Sequence, residues 1–293
     1  MKPDQRRIKL IALDLDGTLV GASLTIPERN RTALQAAMEA GCWVTIATGR
    51  SFTPTSQYAR DLNLNAPMVL YQGALIQDHR DGRVIHRETL SLPVAREIAA
   101  FAAAHHLVTQ LHAEDGAPFT DYANPIRPRM QSITGVAATP VDDLVTWLDR
   151  PPLKFLFIEE PDKVDALMRL IRTRFDRRVE VVRSHAHIVE ITAPNVSKGH
   201  GLAVLAAYLN VPREATLAMG DHDNDADMLA WAGLGIAMHD ASTAARAAAD
   251  VVAPRQVPSA KPDDTSADPV SVAGSHDEAV AWAVERYVLG VDQ

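Results

Sequence analysis

A single cysteine, Cys42, stands among 293 residues, so no disulfide can close within the chain. Its neighbours Gly41 and Trp43 make a buried thiol the ordinary reading. Long apolar runs are missing too. The stretch Gly201 to Leu209 is among the longest, far short of the roughly 20 residues that a membrane-crossing helix needs. Arg6 and Arg7 precede an apolar run that Asp14 and Asp16 interrupt, so no secretory signal is read and a cytoplasmic location is expected. Positive charge is in deficit: 29 Lys and Arg against 37 Asp and Glu leave −8 with the histidines neutral, a balance that repels phosphodiester backbones. Neither nucleic acid nor a membrane is therefore an expected partner. No internal repeat is found, and hydrophobic residues at 47% with charged residues at 23% exclude wholesale disorder.

What remains is a globular chain of about two domains at roughly 150 residues each. Ile8 to Leu13 has the continuous apolar character of a strand buried on both faces, and it runs into Asp14-Leu15-Asp16-Gly17-Thr18. Thr25 and Pro27 predict a helix start, and Gly41 its end. A second strand, Trp43 to Ala47, leads into Thr48-Gly49-Arg50. After a further helix, a third strand is expected at Met68 to Tyr71. Strand and helix in regular alternation predict a parallel sheet with ligands bound beyond the carboxyl ends of its strands.

The rhythm then changes. Ala74 to Ile76 and Val84 to His86 flank the turn signal Asp81-Gly82 and predict a hairpin; a helix over Pro93 to His105 and a less regular series come next, reaching Thr192. The earlier pattern resumes with a helix at Lys198 to Leu209 and strands at Thr216 to Met219 and Leu234 to Ala237. The expected fold class is α/β: a doubly wound, Rossmann-like parallel-sheet core formed by residues 1–84 and 193–293, with an inserted α+β cap over residues 85–192. Pro254 to Ser275 carries four prolines among small and charged residues and predicts a long surface loop, before a terminal helix over His276 to Leu289.

Four clusters fall where this topology brings strand ends together: Asp14 with Asp16, Thr48, Lys198, and the run Gly220 to Asp225. Separate carboxylate positions at neighbouring strand ends repel one another unless a cation neutralises them. A hard divalent ion with oxygen ligands is implied, and Mg2+ suits a few carboxylates plus a substrate phosphate.

Asp14-Leu15-Asp16-Gly17-Thr18, Thr48-Gly49-Arg50, Ser197-Lys198-Gly199 and Gly220-Asp221 through Asn224-Asp225 resemble, in order and spacing, the four motifs of the haloacid dehalogenase superfamily. The insertion between the second and third motifs resembles its Cof-type branch of sugar-phosphate phosphatases. The resemblance implies Asp14 as nucleophile forming an aspartyl phosphate, and Asp16 as the acid that protonates the leaving oxygen and then activates water. It implies Mg2+ on the Asp14 carboxylate, the Asp16 backbone carbonyl and Asp221, with Asp225 beside it. Thr48, Gly49 and Asn224 would bind the phosphoryl oxygens, and Lys198 would stand as a fixed charge between Asp14 and phosphate.

The activity so implied is hydrolysis of a small phosphorylated metabolite, a sugar phosphate or phosphorylated cofactor, by a monomer or small homo-oligomer. A phosphomutase with the same chemistry and a silent metabolite-binding protein are the alternatives. Gln72 stands where the branch usually has Asn, so a polar contact near the substrate is expected to be displaced or lost. Met238-His239-Asp240-Ala241 also departs from the branch's pattern. His105 and His106 read as helix-end residues, His185 and His187 as near the cleft by position alone, His222 as solvent-exposed, and Trp147, Trp231 and Trp282 as packing.

Overall fold

The structure, a computed structural model, describes residues 8–21, 23–113, 118–121, 136–255 and 278–291. The chain opens with β1 (Leu10–Leu13), α1 (Glu28–Glu39), β2 (Trp43–Ile46) and α2 (Phe52–Asp61), followed by β3 (Met68–Leu70), β4 (Leu75–Gln77) and β5 (Val84–Arg87). Next come α3 (Leu92–Ala104), β6 (Val108–His112), β7 (Phe119–Asp121), β8 (Thr139–Val141), α4 (Leu144–Trp147), β9 (Lys154–Ile158), α5 (Pro161–Phe175), β10 (Glu180–His185) and β11 (Ile188–Thr192). The remainder is α6 (Lys198–Tyr208), β12 (Thr216–Gly220), α7 (Ala226–Trp231), β13 (Leu234–Ala237), α8 (Thr243–Ala248), β14 (Val251–Val252) and α9 (Ala279–Val284).

Five parallel strands form one sheet in the order β14-β13-β12-β1-β2. The four residues of β1 are wholly buried, which is why their sequence is uniformly apolar instead of alternating. The chain goes from β1 to β2 on one side and later adds β12 on the other, so the strand order reverses between β1 and β12. Side chains just past the ends of these two strands face a shared crevice, the usual ligand position in such sheets.

A six-stranded sheet, β10-β11-β9-β6-β7-β8, stands apart, with α3 and α5 on one face. Its apolar cluster runs from Leu90 to Ile191 and includes Phe155, Phe157, Ile171 and Phe175. The other large cluster gathers residues from Ile8 to Ile76 and from Ala193 to Val284, with Leu153 the one buried member between those two stretches. α9 packs back on this second cluster as the apolar spacing predicts. Ala281 N–H donates to Asn30 Oδ1 at 2.9 Å, and Arg29 pairs with Glu285 at 2.7 Å.

One strand is placed differently from the sequence expectation. β3 lies beside β2 but joins it by an isolated parallel bridge, Ala47 with Val69, instead of a ladder, and pairs antiparallel with β4 in a three-stranded sheet, β3-β4-β5. The reversal is made by Tyr71 (φ 50°), Gln72 (φ 60°) and Gly73 (φ 101°), three successive left-handed residues. Non-glycine residues adopt that conformation rarely, so of the three only Gly73 is a residue type that announces the turn. Of the Pro254 to Ser275 segment, all but Pro254 and Arg255 lies outside the described residues. Among those described, no helix is long and apolar enough to cross a membrane.

Candidate active site

Asp14 directly follows β1, where its N–H donates to Met219 O of β12 at 2.9 Å. The chain then turns sharply at Gly17 (φ 88°), where an added Cβ would collide with the Asp221 carboxylate. That close approach lets a residue past β12 stand beside one past β1. Thr18 Oγ1 donates to Asp221 Oδ1 at 3.3 Å, completing the link.

Lys198 begins α6, whose N-cap Ser197 accepts the His200 N–H. Its Nζ is wholly enclosed and donates to Asp14 Oδ1 at 2.5 Å and to Asp225 Oδ1 at 2.6 Å. The other oxygen of Asp225 accepts the N–H groups of Asp221 (3.0 Å) and His222 (2.9 Å). Asp225 thus fixes both the lysine and the loop that carries Asp221. Burial alone would pull the Lys198 ammonium down, but Asp14 and Asp225 more than offset it and hold its pKa above the usual lysine range.

One ammonium serves two buried carboxylates, with Asp221 close by. Oxygen atoms of Asp14, Asp221 and Asp225 lie within 4.8 Å of one another. Burial first, then the charges of Asp225 and Asp221, push the Asp14 carboxyl well above its ordinary value, and Lys198 only partly reverses this. A further cation would relieve the repulsion, and the all-oxygen donor set fits a hard divalent ion such as Mg2+.

The remaining sequence-predicted residues line one cavity of about 730 Å³ that also reaches Asp14 and Lys198. Thr48 is buried, its Oγ1 accepting the Arg50 N–H at 3.2 Å. Gly49 is crowded, an added Cβ colliding with the Gln72 amide. Asn224 Nδ2 donates to Gln72 Oε1 at 3.0 Å, leaving Asn224 Oδ1 and Gln72 Nε2 buried without partners. The longer Gln72 therefore does not remove polar function from this wall. It holds Asn224 and keeps a spare donor and acceptor beside the cavity. Asp16 sits in a bidentate fork with Arg50, at 2.7 Å from Nε and 2.5 Å from Nη2.

His222 is exposed, as its acidic loop predicts, with about half of the side chain accessible. Its Nδ1 nevertheless lies 2.5 Å from Asp221 Oδ2, and it lines the cavity. The hydrogen bond to Asp221 is the main reason its pKa rises to about 9. His185 also lines the cavity, whereas the His187 ring stacks on it and turns Nδ1 to Glu159 O at 3.1 Å.

Cavity-lining side chains that sequence reasoning missed come from the six-stranded sheet. Gln110, His112, Lys154, Leu156, Ile188 and Glu190 face the cavity. Their intervening neighbours Leu111, Phe155, Phe157 and Val189 fill the apolar cluster on the other face. The register sets His112 beside Lys154, and Leu156 between Gln110 and Glu190. The period-two alternation of Gln110/His112 and Lys154/Leu156 was the available signal. Lys154 Nζ donates to Glu190 (2.9 Å) and to Gly49 O (2.7 Å), joining this sheet to the second motif. The His112 ring is buried with both nitrogens unpartnered, and burial, then Lys154, hold its pKa well below the usual value.

A family model for haloacid dehalogenase-like hydrolases matches residues 11–257. The chain belongs to that family. Among its relatives, the 5-amino-6-(5-phospho-D-ribitylamino)uracil phosphatase YitU of Bacillus subtilis is 30% identical over 239 residues, 78% of this chain and 86% of the relative. The chloroplastic endoribonuclease YBEY of Arabidopsis thaliana is 28% identical over 264 residues, 84% of this chain but 44% of its own length, so the chain spans less than half of that protein. A solved haloacid dehalogenase-like hydrolase from Bacteroides thetaiotaomicron matches with a TM-score of 0.77 at 25% identity, covering 95% of this chain and 99% of the other. The haloacid dehalogenase-like α/β fold with its inserted cap is thereby shown, and the chain is an enzyme of the phosphatase class.

Proposed function

We propose that this haloacid dehalogenase-like protein is a Mg2+-dependent phosphomonoester hydrolase that acts on a small phosphorylated metabolite through an aspartyl phosphate on Asp14. The observation that carries the reading is the buried Lys198 shared by Asp14 and Asp225, beside Asp221, lining a cavity roofed by polar side chains. Asp14 is the nucleophile: its oxygen attacks phosphorus, and the bond to the leaving oxygen breaks. Lys198 holds the attacking carboxylate in place and faces the incoming phosphate with a fixed charge. Thr48 and Gly49 receive the phosphoryl oxygens, and Asn224, oriented by Gln72, adds a polar contact. Mg2+ would be held by Asp14, the Asp16 carbonyl and Asp221, with Asp225 supporting the loop. When bound it offsets the phosphate's charge and admits an anionic nucleophile.

Asp16 is the general acid and then the base. In the fork with Arg50 its carboxyl is turned to a cation instead of to a leaving group. A phosphate monoanion competes for that guanidinium, and the carboxylate it frees takes the substrate's proton and then donates it to the leaving oxygen. Asp16→Asn is therefore expected to lower turnover of alkyl phosphates by about 10²–10⁴-fold. Aryl phosphates, whose leaving groups need little protonation, should lose far less. Equal losses for both in steady-state phosphate release would remove Asp16 from the acid role.

The substrate class derives from the roof, formed by the segment 85–192 that we read as the cap. Lys154, Glu190, Gln110 and the neutral His112 present donors and acceptors across from the phosphate site, which suits a polar sugar, polyol or heterocycle small enough for the cavity. The test is phosphate release from a panel of sugar phosphates, flavin mononucleotide, pyridoxal phosphate and 5-amino-6-(5-phospho-D-ribitylamino)uracil. EDTA should abolish the activity and Mg2+ restore it. Ca2+ should fail, since it prefers more ligands and looser geometry than in-line attack tolerates. Activity that survives exhaustive chelation would refute the metal assignment. Sugar phosphates that interconvert without releasing phosphate would make the enzyme a mutase.

A further inference from the structure

A second cluster of ligating side chains lies on the other side of α6 from Lys198. His86 belongs to β5, Glu88 follows that strand directly, and His200 is in the first turn of α6. Both imidazoles turn Nε2 to a single carboxylate oxygen, Glu88 Oε1, at 3.1 Å from His86 and 3.0 Å from His200. The rings are 6.0 Å apart, and the three ligand atoms all lie within 4.8 Å of one another. None of the three belongs to a sequence motif or to the cavity described above.

The backbone holds these groups in place. His86 is paired with Ile76 in the β4–β5 ladder, Glu88 N–H donates to Ala74 O at 2.7 Å, and His200 N–H donates to the N-cap Ser197 at 3.1 Å. Ligands on a strand, its exit and a helix's first turn are preorganised. All three side chains are partly exposed, so an ion can enter and keep a water. A carboxylate only accepts, so each ring presents Nε2–H to it. A cation replaces both hydrogen bonds, each ring then offering Nε2 to the ion with a proton on Nδ1. Bonds of about 2.0–2.2 Å around one centre separate their ligand atoms by little more than the distances already present.

Two imidazoles and one carboxylate suit a borderline divalent ion, whereas Mg2+ takes all-oxygen sets. We infer that His86, Glu88 and His200 form a second metal site for a transition ion of the Zn2+ type, which fastens the chain's exit from β5 to the helix that carries Lys198. The two ends of that tie are close to function. Leu90, two residues past Glu88, begins the apolar cluster of the six-stranded sheet, and Lys198 precedes His200 by about 200° of helical turn.

Co2+ titrated into the protein in excess Mg2+ tests the site, with Mg2+ occupying the carboxylate cluster. One equivalent should give the intense visible absorption of a low-coordinate Co2+ centre, and Zn2+ should abolish it. His86→Ala and His200→Ala should each weaken binding by at least about 10-fold, while Asp221→Asn leaves the absorption in place. Circular dichroism reports whether the histidine variants fold. If they do not, Glu88→Gln decides, because its amide oxygen still accepts from both rings but carries no charge for a cation. Absorption that persists in His86→Ala/His200→Ala or in Glu88→Gln, or that never saturates at one equivalent, would overturn the site.

Discussion

Asp14→Asn protein should fold at least as stably as the parent and lose turnover by on the order of 10⁴-fold or more. The two halves of that result have one cause. Asp14 is buried, and its ionised form is disfavoured first by burial and then by Asp225 and Asp221. The amide is nearly isosteric, keeps an oxygen that can accept from Lys198, and removes one of the repelling charges. It also removes the attacking oxyanion. The stability half depends on pH with a definite sign. Because the folded pKa of Asp14 is raised above its unfolded value, its contribution to stability is fully present below the unfolded value and is lost as pH rises through the folded one. The variant's advantage in metal-free urea unfolding should thus be present near neutrality and vanish below about pH 4. Saturating Mg2+ should erase it near neutrality, since binding to the native parent restores the lost stability. Well-folded Asn variant with more than a hundredth of parental phosphate release would remove Asp14 as nucleophile.

How much of this site the sequence discloses depends on whether a residue's role is set locally. β1 and the turn after it are local: a continuous apolar run must be buried on both faces, and the residues after that run must lie at a strand end. That places Asp14, Asp16, Thr48 and Asp221 near one another before any coordinates are known, and Lys198 is placed by its own helix start. The Lys198 bond to Asp225 spans 27 residues and closes only in three dimensions. His222 illustrates the limit. Its sequence context is an acidic loop that predicts exposure, and only the folded loop sets its Nδ1 against Asp221 Oδ2. The cavity roof shows its alternation in the sequence but not its role, for a different reason. Lys154 and Glu190 are charged residues in otherwise apolar strands, and their burial makes sense only once each has the other as partner across neighbouring strands. The hairpin after Leu70 stays hidden because Tyr71 and Gln72 adopt a left-handed backbone that their side chains do not favour.

Replacing Lys198 with Met should cost about 3–5 kcal/mol of stability and most of the activity, because it breaks two buried ion pairs from the same side. Methionine fills the space of the lysine stem, so the loss is electrostatic and not a packing defect. The substitution leaves Asp14 and Asp225 enclosed together, with no ammonium between them. In the parent the Lys198 pKa is raised, so its contribution is fully present below the unfolded lysine value and is lost only at strongly alkaline pH, as pH passes the folded one. The variant must respond differently at the acid end. As Asp14 takes up a proton the repulsion fades, so the gap between parent and variant in urea unfolding should narrow as pH falls from neutral. Mg2+ should narrow it too, since a divalent ion supplies charge to the same oxygens, but turnover should stay at least about 10²-fold down because no group then holds Asp14 in line with phosphorus. Lys198→Arg separates charge from fit: it should recover part of the stability and little of the rate, its planar fork being unable to replace a point charge in a fully enclosed space. A Met variant as stable as the parent at neutral pH without metal would mean that the carboxylates find another cation or a shared proton, and the site would then not depend on this lysine for its charge balance.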